Sequence, residues 1–98
     1  MQLVFEYHDV TASDRLEEAV KEKMARLGEK YDFVHRADIF FKNENTSDDL
    51  GKICDIRLSA PGPRIFASTN ADSYLSAIAE TVRDLDKQLE KRKVELYH

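Results

Sequence analysis

DSYLSAIAETVRDLDKQLEKRKVEL, residues 72–96, is the stretch whose rhythm decides the architecture. Placed at about 100° per residue, Tyr74, Ile78, Val82, Leu85, Leu89 and Leu96 gather near one face. Arg83, Lys87 and Lys91 follow one another at intervals of four on the opposite face. The spacing predicts a long amphipathic helix over Asp72 to Leu96. One side of it needs a sheet to lie on, and the other offers a basic row to a partner.

Upstream, the chain supplies that sheet. Residues 2–8 alternate, with Leu3, Phe5 and Tyr7 against Gln2, Glu6 and His8, as a half-buried strand does. From Val10 the period changes. Leu16, Ala19, Val20, Met24 and Leu27 make one helical stripe, and the predicted helix runs from Ser13 to about Lys30, with Gly28 as a weak point near its end. Thr11 with Asp14 has the pattern of a capping box, and Ser13 is the rival cap. Residues 34–43 alternate again, Ala37, Ile39 and Phe41 against Asp38, Phe40 and Lys42. The polar, acidic NENTSDDLG that follows reads as a loop. Residues 52–60 form a third strand, with Cys54, Ile56, Leu58 and Ala60 on one face. Pro61-Gly62-Pro63 enforces a tight turn, and residues 64–69 form the fourth strand.

The order β-α-β-β-β-α predicts an α+β two-layer sandwich, a four-stranded sheet with both helices packed on one face. Short connections make the last three strands an antiparallel meander. The first strand joins one of its edges, and the pattern does not say which. Ninety-eight residues without repeats or linker imply one domain over residues 1–98.

Composition narrows the functional classes. Fifteen Lys and Arg against nineteen Asp and Glu give a formal net charge of −4, so a polyanion must be met by a local patch and not by bulk charge. The single Cys54 forms no internal disulfide, and a reduced cytoplasm is the expected compartment. No apolar run approaches the roughly 18 residues of a membrane helix, and no signal peptide is expected. His8, His35 and His98 are scattered, so neither a metal site nor a cofactor is expected. Cys54 alternates onto an apolar face, which predicts a buried inert thiol. No nucleophile elbow or phosphate-binding glycine loop is present, and the expected protein is not an enzyme.

Several features in order along the chain resemble the ribosome hibernation-promoting factor family, which includes the ribosome-associated inhibitor, or protein Y. They are Met1-Gln2-Leu3, then Leu16, Lys23, Arg26 and Leu27, the Tyr31-Asp32 and Phe41-Lys42 steps, and Asp72 and Tyr74 before Ala77-Ile78. The tail matches best, with Leu85, Lys87-Gln88-Leu89, Lys91 and Lys93. Departures are one extra residue between Asp72 and Ala77, Ala79 in place of an acid, Glu17 in place of a base, and Asp84 and Asp86 among the cations. The resemblance implies the same sandwich. It also implies binding to the small ribosomal subunit, its rRNA and proteins, in the channel of messenger and transfer RNA, which silences translation when growth slows. Absence of a dimerisation domain resembles the short form, for which pairing of ribosomes would need a second hibernation factor.

With that resemblance, the cations become candidates for RNA contact: Lys23 and Arg26 on the first helix, Arg83, Lys87, Lys91, Arg92 and Lys93 on the second. Each lysine or arginine that neutralises a phosphate releases counterions, so contacts add affinity that salt removes. Lys23 sits within the apolar stripe, where a lysine commonly snorkels past the sheet edge; the resemblance, which also places a lysine here, implies that it belongs to the contact surface. The bland reading is a solvated helix face laced by Glu80–Arg83 and Arg83–Asp86 pairs at i, i+3. A rival function is a protein-interaction module that uses Phe40 and Phe66 on the open face of the sheet, without RNA.

Overall fold

The computed structural model describes residues 1–44 and 50–97. Its elements are β1 (Gln2–His8), α1 (Asp14–Lys30), β2 (Arg36–Asn43), β3 (Lys52–Ser59), β4 (Ile65–Ala71) and α2 (Tyr74–Leu96), the predicted order. The strands lie in the order β1-β2-β3-β4. β2, β3 and β4 form the antiparallel meander, with Ile39 opposite Ile56 and Ile56 opposite Ala67. β1 takes the β2 edge and runs parallel to it, Leu3 beside Ala37 and Tyr7 beside Phe41. The intervening α1 carries the chain back to the end at which it started, which is what a parallel neighbour requires.

Alternation sends Ala37, Ile39, Phe41, Cys54, Ile56, Leu58, Ile65 and Ala67 to the helix side, where they meet Val20, Met24 and Leu27 of α1 and Ala77, Ile78, Leu85 and Leu89 of α2. One hydroxyl enters this core. Thr81 Oγ1 donates to the Cys54 carbonyl at 3.1 Å and lies 2.8 Å from Thr69 Oγ1. A buried hydroxyl is tolerated only when bonded in this way.

Several boundaries differ from the sequence reading. Ser13, the rival, caps α1, and its side chain accepts from the Leu16 amide. α2 begins at Tyr74 behind Ser73, whose hydroxyl accepts from Ser76, so Asp72 lies outside it. β2 starts at Arg36, β3 stops at Ser59, and β4 continues to Ala71 because the ladder with β3 extends that far. Leu96, counted in the apolar stripe, is 40% exposed. A helix of 23 residues spans about 35 Å. Strands of seven or eight residues reach only about 25 Å, so the last turns of α2 overhang the sheet. The predicted NENTSDDLG loop falls largely outside the described residues.

The turn between β3 and β4 carries Gly62 at φ +96. A Cβ there would lie 2.9 Å from Arg92 Nη1. Gly62→Ala is therefore expected to lower stability by about 1–2 kcal/mol, because the left-handed conformation is costly for other residues and the arginine must also move. Urea denaturation measures this, and an unchanged midpoint would contradict it.

Candidate nucleic-acid interface

The site is built on the outer surfaces of α1 and α2. Lys23, Arg26, Leu27 and Lys30 of α1 face Val82 and Asp86 of α2 across a hollow of about 250 Å³. Lys23 thus emerges between the helices and not past the sheet edge. The edge side of α1 is taken by Lys21, Ala25 and Gly28 beside Met1 and Leu3. Arg83 and Lys87 stand exposed on the crest of α2. Lys91 lies on the far flank, sharing a second hollow with Arg64, Gln88 and Arg92. The structure therefore distributes the expected cations along a groove, a crest and a flank, not in one row.

Asp86, which breaks the basic pattern in the sequence, is neutralised in the fold. Its carboxylate accepts from Tyr31 Oη at 2.6 Å and from Lys30 Nζ at 3.0 Å. It pairs across the helices instead of with Arg83, the i, i+3 partner expected from sequence. Lys93 completes the cluster, with Nζ 3.3 Å from the Lys30 carbonyl and 5.8 Å from the Tyr31 ring centroid. Lys30 lies 5.3 Å from the same centroid. The Tyr31 hydrogen bond, and then that of Lys30, hold the Asp86 carboxyl below its ordinary value. Burial, with Asp86 second, pushes the Tyr31 hydroxyl up.

The sign of the pH effect follows. A depressed carboxylate stabilises above its unfolded value of 3.8 and loses that contribution as pH falls through the folded value. Asp86→Asn is expected to cost about 0.5–1 kcal/mol near neutral pH, a small figure because this partly exposed pair is screened by solvent. The gap between wild type and variant should hold down to about pH 5 and close below the unfolded value. Denaturation curves across about pH 2.5–7 check this. A gap that widened in acid would overturn it.

Two polar residues of α2 serve the fold. Gln88 Nε2 donates to the Phe66 carbonyl at 2.9 Å, on the open edge of β4. Arg92, expected among the RNA contacts, donates from Nη1 to Pro61 O at 2.6 Å and from Nη2 to Pro63 O at 2.7 Å. Arg26 is loosely engaged by Glu22 at 3.2 Å, with both side chains exposed. Sequence reasoning missed Lys30 and Arg64. Lys30 follows Lys23 by seven residues, two helical turns, so the face it shares was available as a signal. Arg64 approaches Lys91 only through the packing of β4 against α2, which no local spacing reports.

Cys54 is fully buried, and desolvation pushes its thiol up to about 12, so it is not poised as a nucleophile. Among the described residues no group of three or more His, Cys, Asp or Glu is placed to hold a metal ion. No helix of the described residues is long and apolar enough to cross a membrane.

A ribosome hibernation promoting factor from Acinetobacter guillouiae is 24% identical over 103 residues, covering 98% of this chain and 91% of that protein. The structure of a ribosomal subunit interface protein from Coxiella burnetii is similar with a TM-score of 0.82 and 26% identity, over 96% of this chain and 99% of that one. The N-terminal domain of Thermus thermophilus Protein Y shares the fold, with a TM-score of 0.78 at 18% identity over 93% and 98% of the two chains. The family model described as sigma 54 modulation protein / S30EA ribosomal protein matches residues 3–96, through all six elements, and the chain belongs to that family.

Proposed function

We propose that this protein binds the small ribosomal subunit through its two-helix face, occupies the channel of messenger and transfer RNA, and silences translation by occlusion. Lys23, Arg26, Arg83, Lys87, Lys91 and Lys93 make the phosphate contacts, while Arg92 holds the Pro61–Pro63 turn beneath them. The relatives named for ribosome hibernation and for the ribosomal subunit interface support this reading. The observation that carries it is the internal neutralisation of Asp86 by Lys30, with the Tyr31 hydroxyl donating to the same carboxylate. That pairing removes the one acid of the inter-helix hollow from competition with phosphate, leaving Lys23 and Arg26 to face outward there. A chain of net charge −4 can then present a cationic surface to RNA.

Purified protein should co-sediment with small subunits at low salt and slow translation of a test message. Affinity should fall steeply with salt, with a log–log slope on the order of −5 for that many contacts. Failure to co-sediment even at low salt would sink the proposal.

A further inference from the structure

The face of the sheet turned away from the helices takes no part in the surface just described. Phe40 of β2 and Phe66 of β4 stand on it, with Arg57 of β3 between them in register opposite Phe66. Phe66 is 50% exposed, and the Arg57 guanidinium lies 5.5 Å from the Phe40 ring centroid. These residues floor an open hollow of about 610 Å³.

This hollow carries an excess of acid, whereas acids and bases are equal in number on the two helices. Its two cations are already engaged, Lys42 Nζ 2.7 Å from Asp55 and Arg57 3.8 Å from Asp38. Asp55 also accepts from the Ser68 hydroxyl. Glu6, Asp9 and Glu44 remain on the lip, all exposed, with His8 3.9 Å from Glu6. An aromatic floor with an acidic lip suits long basic side chains, whose aliphatic stems lie on the rings while the charged heads reach the carboxylates.

We infer that this face docks a basic segment of a partner protein, one that carries lysine or arginine among apolar residues. The same three carboxylates repel phosphate, which turns nucleic acid away from this side. They also repel their own copies, which opposes pairing of two identical sheet faces. The two sides therefore differ: the helix side mixes both signs evenly, and the seat beneath the sheet is acidic and aromatic.

The probe is a fluorescein-labelled decapeptide of alternating lysine and leucine (about the span of a strand), with a glutamate-leucine counterpart and a uridine oligonucleotide as controls. Anisotropy titrations would use wild type, Phe66→Ser, and the combined Glu6→Gln, Asp9→Asn, Glu44→Gln variant. Neutralisation of Glu18, Glu29 and Glu90 makes the same change of net charge elsewhere on the exposed surface. The basic peptide is expected to bind wild type and to weaken about tenfold with Phe66→Ser and with the lip variant. Binding should be nearly unchanged with the control variant and with Lys87→Glu. Phe66 is half exposed, so its loss leaves the core intact, and circular dichroism confirms folding. Equal affinity for lip and control variants would reduce the effect to bulk charge and overturn the inference. Preference for the acidic peptide or the oligonucleotide at this face, or self-association that depends on Phe66, would overturn it as well.

Discussion

Exchanging Lys87 and Lys91 together for Glu is expected to lower small-subunit affinity by about 10²-fold near 0.1 M salt and leave the fold unchanged. Each phosphate contact contributes a slope of roughly 0.9 in log affinity against log salt, so losing two costs nearly two decades at that concentration. The slope itself should become shallower by about two. Both lysines are exposed, and the apolar side of α2 is carried by Ala77, Ile78, Leu85 and Leu89, so core packing is untouched. Reversal of Glu90, an acid exposed beside the same surface, should be neutral or mildly strengthening. A Lys87/Lys91 variant with native circular dichroism and undiminished affinity would show the row to be an ordinary solvated face. Arg92→Ala is the instructive contrast. It should lower stability through the Pro61–Pro63 turn and leave the salt slope nearly unchanged.

Phe41→Ala is expected to remove about 3–5 kcal/mol of folding stability. Phe41 is fully buried where three elements meet. Its ring stacks on Tyr7 of β1 with centroids 5.4 Å apart and meets Tyr74 of α2 edge-on at 5.7 Å. Tyr74 is fixed in turn by its hydroxyl, which donates to the Lys42 carbonyl at 2.9 Å. Truncation leaves a cavity bordered by two aromatic rings, neither of which can collapse into it without releasing a neighbour. For a domain with a typical stability of about 5–15 kcal/mol, the loss approaches unfolding. A fall of less than about 1 kcal/mol in urea denaturation would show that the core repacks and that this junction is not central. Phe41→Leu, closer in volume, should cost much less.

Element order and type were legible in the residues because each rests on local rhythm. Leu3, Phe5 and Tyr7 alternate, as do Ala37, Ile39 and Phe41, while Val20, Met24 and Leu27 recur at helical spacing. Those periods are fixed by backbone geometry, whatever the neighbours do. Boundaries were less legible. Thr11 and Ser13 are both competent caps, and only the path from β1 into α1 selects Ser13. Leu96 keeps the helical period but has no sheet beneath it, since helix period carries no information about strand length.

The sequence by itself determined six elements, their order and the faces they bury, because composition and period are properties of the chain alone. Tertiary structure decided which edge β1 joins and what each charge has left to offer. Asp86 reads as an interruption of the basic pattern, yet Lys30 neutralises it and Tyr31 hydrogen-bonds it, both more than fifty residues earlier. Arg92 reads as one more basic residue, yet the Pro61 and Pro63 carbonyls hold its guanidinium. Lys23 reads as one charge within an apolar stripe, and it opens between the helices because α2 packs along that side of α1. The physical reason is common to all three. Whether a charge is free for a partner depends on the groups within a few ångströms of it, and distant parts of the chain supply those groups.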